Sequence, residues 1–212
     1  MRAMNYDIII QNGRILDGAG NPWHRADLGI IGDSIEAIGD LAMESAEEKI
    51  NAKDMMISPG FIDIHSHSDF TILVDRRAES KIRQGVTTEV VGNCGTSAAP
   101  MNKAVKSYRE KYMRAQLGES FDFSWKTTDD YMRLIDSKGV SFNVVTLVGQ
   151  GTVRQNVMGY ENRPATDDEL EEMKRHIAES MEEGAWGMST GSSRTGCSHW
   201  RRRHANAQVT AR

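Results

Sequence analysis

The stretch Pro59-Gly60-Phe61-Ile62-Asp63-Ile64-His65-Ser66-His67 decides how the rest of the chain is read. Phe61, Ile62 and Ile64 suit a buried strand. Side chains alternate faces along a strand, so His65 and His67 are expected to point the same way, with Asp63 two positions earlier. Two imidazoles on one face at the end of an apolar strand can grip one cation. A purely structural histidine pair is the competing explanation, and the Pro-Gly-Phe-Ile-Asp context weighs against it.

Downstream, the rhythm is strand, loop, helix. Residues 77–84 read as a short helix stopped by Gly85, and the β-branched run Val86-Thr87-Thr88-Glu89-Val90-Val91 reads as a second strand. A polar segment, 101–137, holds helical patches at Val105–Leu117 and Thr128–Ser137. Residues 142–148 give a third strand, and a helix capped by Thr166 runs to Glu183. Ala185 to Thr190 is a fourth strand. Upstream, residues 6–58 read as short strands with turns at Asn12-Gly13, the strongest two-residue hairpin signal, and at Gly32-Asp33.

The expected architecture is therefore α/β. A small β-rich module (1–57) precedes about four βα units (58–191), which fit the first half of a TIM-type (β/α)8 barrel. In such a barrel the carboxyl ends of the strands face the active-site mouth. Cys94, in Val91-Gly92-Asn93-Cys94-Gly95 just past the second strand, is expected there too. A free cysteine is most often a small buried apolar residue. Here glycines on both sides indicate tight turns that aim the side chain, and a thiolate is a good zinc ligand that can bridge two ions.

Three motifs, Pro59 to His67, Gly85-Val86-Thr87-Thr88-Glu89-Val90-Val91-Gly92-Asn93-Cys94-Gly95, and Gly184-Ala185-Trp186-Gly187-Met188-Ser189-Thr190-Gly191, stand in the order found in the amidohydrolase superfamily. More closely they resemble its D-aminoacylase (N-acyl-D-amino-acid deacylase) branch. The resemblance implies a Zn2+-dependent hydrolase of a non-peptide C–N amide bond. It releases a D-amino acid and a carboxylate from an N-acyl-D-amino acid, using water activated at zinc. It also implies that His65, His67 and Cys94 are metal ligands. Strand four has no lysine, which fits the cysteine-bridged branch rather than one using a carboxylated lysine. Two further zinc-binding histidines and a catalytic aspartate are expected on later strands, so no catalytic residue is assigned, and turnover by these residues alone is expected to be negligible. The rivals are a non-catalytic metal-binding fragment and an amidohydrolase acting on a cyclic amide, as dihydroorotases and hydantoinases do.

Bulk properties narrow the classes. No run of about 18 apolar residues exists to span a membrane, and Met1-Arg2-Ala3-Met4-Asn5-Tyr6-Asp7 has no signal-peptide core, so a cytoplasmic location is expected. Two cysteines, Cys94 and Cys197, make no disulfide framework. The net charge of −4 divides into −9 over residues 1–191 and +5 over 192–212. That last segment lacks acids and periodicity, and it reads as an aberrant, disordered Arg-rich tail, consistent with a shifted reading frame. Neither Cys197, His199 and His204 as a zinc set nor Arg201–Arg203 as a nucleic-acid patch is favoured, and no nucleic-acid partner is expected. His176 is read as a satisfied helix residue, Glu89 as an ordinary strand residue and Trp186 as a packing residue. Open sheet edges would favour self-association.

Overall fold

The structure is a computed structural model that describes residues 5–118 and 121–191. The tail with Cys197, His199, His204 and the Arg201–Arg203 run lies outside the described residues. Two compact units divide between Gly60 and Phe61, and the secondary structure is mixed α/β.

The first unit contains β1 (Asn5–Ile15), β2 (His24–Ile31), β3 (Ser34–Gly39), β4 (Ser45–Asn51) and β5 (Met56–Ile57), in the order β3-β2-β1-β4 with β5 also on β1. Strands β1, β2 and β3 pair antiparallel, whereas β4 and β5 run parallel to β1. Tyr6, Ile9 and Leu41 form its core. The Gly32-Asp33 turn joins β2 to β3 as expected, with Gly32 at a φ of 60°. Asn12-Gly13 is not a hairpin turn. It is a bulge inside β1, where the register with β2 shifts between Ile10 and Gly13. Asn12 reaches a φ of 65° and is held by its neighbours, its N–H donating to Asp27 Oδ1 (2.9 Å) and its Nδ2 to Asn51 Oδ1 (3.0 Å). Side-chain partners on two adjacent segments outweigh the local preference for a tight turn.

The second unit opens with β6 (Phe61–Asp63), a 3-10 turn (Thr71–Leu73), α1 (Glu79–Ile82) and β7 (Val86–Val91). It continues through α2 (Lys103–Leu117), α3 (Thr128–Lys138), β8 (Asn143–Thr146), β9 (Val148–Gly149), α4 (Gln150–Met158), α5 (Asp167–Glu182) and β10 (Met188–Ser189). Strands β6, β7 and β8 form a parallel sheet in that order, and β9 pairs in parallel with β10. Backbone bonds from Leu147 N–H to Val91 O (2.9 Å) and from Trp186 N–H to Thr146 O (2.9 Å) carry the pairing across the break between β8 and β9.

Several expectations are corrected. β6 stops at Asp63, so His65 and His67 lie beyond the strand. The ladder nevertheless continues through a bond from Ser66 N–H to Val90 O (3.0 Å), which keeps the path extended. Phe61, Ile62 and Ile64 are not buried but 59%, 61% and 73% exposed, because among the described residues β6 is the last strand of its sheet and pairs only with β7. Trp186, expected to pack, is 78% exposed just ahead of β10. The 101–137 segment is not merely polar: Phe123, Trp125 and Tyr131 join Phe70 and Phe142 in the largest buried cluster. Among the described residues no helix is long and apolar enough to cross a membrane.

Candidate metal centre

His65 and His67 sit on the extended segment leaving β6, and Cys94 sits on the loop leaving β7. Because β6 and β7 are parallel neighbours, both segments emerge at the same end of the sheet. The Cys94 loop turns tightly. Gly92 and Gly95 have φ of 82° and 77°, and Cys94 itself is at 54°, a left-handed conformation that disfavours a side chain. The loop also nests backbone to backbone. A Cβ on Gly92 would strike the Leu147 carbonyl, one on Gly149 would strike Gly95, and one on Gly191 would strike the Cys94 carbonyl. Ser189 of β10 staples the loop, accepting the Gly95 N–H at 2.9 Å and donating to Gly92 O. Further along, Thr152 N–H donates to Gly95 O (3.1 Å), and the buried Arg109 donates to Ser97 O (2.7 Å) and Ala98 O.

The result is a converging donor set. Ligand atoms of His65, His67 and Cys94 all lie within 4.8 Å of one another, and all three residues are exposed. His65 Nε2 stands 3.2 Å from Cys94 Sγ, and the two imidazole rings are 5.3 Å apart at 67°. Nitrogen and sulfur donors around a tetrahedral zinc are separated by roughly 3.3–3.8 Å. The His65–Cys94 separation of 3.2 Å lies just below that range and the 4.8 Å limit of the set lies above it. Two imidazoles with a thiol form a borderline-soft set that suits zinc better than magnesium or calcium.

Asp63 does not face these donors. Its carboxyl accepts from Lys81 of α1, and its Oδ1 accepts the His65 N–H at 3.1 Å. The Lys81 ammonium and that N–H hold the Asp63 carboxyl below its ordinary range. Glu89 is fully buried and is bonded by the hydroxyls of Ser66 and Ser68. Its reading as an ordinary strand residue is corrected. A single carboxylate inside a β-branched run was the available signal, since a buried acid needs partners. Asp69 was not singled out either. Burial pushes its carboxyl up to about 6 against the backbone N–H groups of Asp69 and Gly92, and its Oδ1 has no hydrogen-bond partner among the described residues. His176 lies on α5 beside Glu172 and Glu179, away from this set.

Comparisons with known proteins identify the family. A family profile described as "Amidohydrolase family" matches residues 48–208, running into the segment read as aberrant. A D-aminoacylase of Alcaligenes xylosoxydans xylosoxydans is 37% identical over 187 residues, covering 88% of this chain and 38% of that protein. An N-acyl-D-glutamate deacylase of the same organism is 37% identical over 185 residues, 87% of this chain and 37% of that one. A solved D-aminoacylase structure described by its binuclear metal centre superposes with a TM-score of 0.78 at 38% identity, over 88% of this chain and 38% of its own. The N-acyl-D-glutamate deacylase of Bordetella bronchiseptica, solved with zinc and a phosphonate mimic of the tetrahedral intermediate, superposes at 0.76 with 35% identity, over 89% and 39%. The chain thus spans a little over a third of the length of these relatives.

Proposed function

The chain belongs to the amidohydrolase family, and we propose that it forms the metal-gripping part of a zinc-dependent hydrolase that converts an N-acyl-D-amino acid to a D-amino acid and a carboxylate. The observation that carries this reading is the convergence of His65, His67 and Cys94, from two parallel strand ends, within 4.8 Å. The substrate class is taken from the relatives, a D-aminoacylase and an N-acyl-D-glutamate deacylase.

Zinc, when bound, would polarise the acyl carbonyl and make water nucleophilic at neutral pH. The chain's own residues hold and orient. His65 and His67 supply two nitrogens from one extended segment, Cys94 supplies sulfur from a loop locked by glycine contacts, and Ser189 fixes that loop to β10. Under this proposal β6 to β10 are the opening strands of a (β/α)8 barrel, and the substrate approaches at their carboxyl ends. Turnover by these 212 residues alone is negligible, because the resemblance assigns the proton-handling aspartate to a later strand and the chain spans 38% of the D-aminoacylase it matches. The exposed β6 residues also favour self-association.

Dialysed protein is expected to retain about one zinc per chain by elemental analysis, the complement of one three-ligand site. His65→Ala and Cys94→Ser should each lower retention at least about tenfold. Equal retention by parent and both variants would sink the metal assignment. Zinc-dependent release of a D-amino acid by the chain alone would overturn the claim of negligible turnover.

A further inference from the structure

Behind the donor set lies a charged network that the strand itself does not require. Glu89 occupies the middle of β7 at 0% exposure, where a carboxylate is costly unless its oxygens are satisfied. Its Oε2 accepts from Ser66 Oγ at 2.8 Å and from Ser68 Oγ, the residues on either side of His67. Its Oε1 has no hydrogen-bond partner among the described residues and faces Lys81 Nζ at 3.6 Å. Lys81 also ion-pairs with Asp63, whose Oδ1 accepts the His65 backbone N–H at 3.1 Å. Ser68 N–H points to Ser66 Oγ at 3.3 Å, closing the turn around His67. The backbone of the segment from 65 to 68 is tied by the Ser66 N–H to Val90 O and by Asn93 Nδ2 to Ser66 O (3.3 Å). Its remaining ties, at the His65 N–H, the Ser66 hydroxyl, and the Ser68 N–H and hydroxyl, lead back to Glu89 or Asp63, the two carboxylates that share Lys81.

We propose that Glu89, with Lys81 and Asp63, positions His65 and His67 for the metal by clamping the Ser66 and Ser68 hydroxyls from inside the sheet. The inference rests on His65, His67 and Cys94 being the ligands. These are positioning residues, since none of Glu89, Lys81, Ser66 or Ser68 belongs to the donor set itself. A role in folding alone would not need charge here, because a buried ion pair is often replaced by apolar residues of similar volume without loss of stability. A positioning role needs a hydrogen-bond acceptor at this place, because the Ser66 and Ser68 hydroxyls have to find one on β7.

The two roles separate in Cd2+ binding by the full chain, read from the thiolate-to-metal absorption band, with Cys94→Ser assigning that band to Cys94. Glu89→Met/Lys81→Met and Ser66→Ala/Ser68→Ala are expected to weaken Cd2+ binding by roughly 10–100-fold, the usual cost of losing groups that orient a ligand. Glu89→Gln, which keeps an acceptor oxygen, should recover part of that loss. Ser68→Ala removes a single donor and is the milder variant should a double one fail to fold, and it should still weaken binding several-fold. Ile135→Ala, in the α3 core, should lower the melting temperature with unchanged Cd2+ affinity. Affinities within twofold of the parent for the folded network variants would overturn the positioning role while leaving the ligand assignment standing. A parent chain without a Cys94-dependent band would overturn both.

Discussion

Cys94 adopts a left-handed backbone at a φ of 54°, which for a residue with a side chain costs on the order of 1–3 kcal/mol. What holds it there is close backbone packing at glycines together with the Ser189 hydroxyl. Gly149 and Gly191 let the loop touch neighbouring backbone, and Ser189 bonds it at two points. Gly149→Ala would put a Cβ 2.6 Å from Gly95 C and O and 2.7 Å from Thr96 N, atoms that cannot swing aside. We expect it to destabilise the fold by about 1–3 kcal/mol in a denaturant melt, as overpacking does, and to weaken metal binding by displacing Cys94. Gly39→Ala, with nothing within 4 Å and no positive φ, is the comparison and should change stability by less than about 0.5 kcal/mol. Equal effects at both positions would refute the nesting argument.

Among the elements, α5 shows how far local chemistry reaches. Thr166 accepts the Glu169 N–H, the Glu169 side chain accepts the Thr166 N–H, and Arg163 pairs with both Glu169 oxygens. Arg163, then the Thr166 N–H, holds the Glu169 carboxyl down to about 2. A depressed carboxyl adds stability above its unfolded value and loses it as pH falls toward the folded one. The stability gap between parent and Glu169→Gln should therefore be full at pH 7 and shrink steadily between about 4.5 and about 2. A gap independent of pH across that range would refute the pairing. Thr166→Ala should cost about 1 kcal/mol in thermal unfolding, the usual worth of such a cap. The same local signals explain why α5 was legible and α4 was not. α4 has Gly149 at its N-cap with no side-chain cap, carries Gly151 in its first turn, and buries Gln150, Thr152 and Arg154. Its stability comes from packing of Val153 and Met158 against α5 and β9, which no window of sequence displays.

At the scale of the molecule, the second unit leaves apolar surface uncovered. Phe61, Ile62 and Ile64 are more than half exposed along or just beyond β6, and Trp186 is exposed beside β10. Parallel strands are normally buried on both faces, and a terminal strand offers unpaired backbone groups. The chain should therefore sediment as dimers or larger species at micromolar concentration, and Ile62→Lys/Ile64→Lys should shift it toward the monomer. A monomeric mass for the parent would contradict this.

The order of the strands and most of the helices followed from local pattern: β-branched runs such as Val86–Val91, the capping residue Thr166, and the parallel rhythm between them. His65, His67 and Cys94 were legible as candidates because spacing and flanking glycines are local features and donor chemistry is a property of residue type, and the family resemblance implied them as one ligand set. Contacts between distant residues were not legible. That β6 ends before its histidines, that Asn12 bulges instead of turning, that Ser189 reaches Gly95, and that Glu89 holds Ser66 and Ser68 all depend on which strand lies beside which. Local sequence carries backbone preference and donor identity. Where a buried charge finds its partner, and which apolar face stays bare, is settled only when segments far apart in the chain become neighbours.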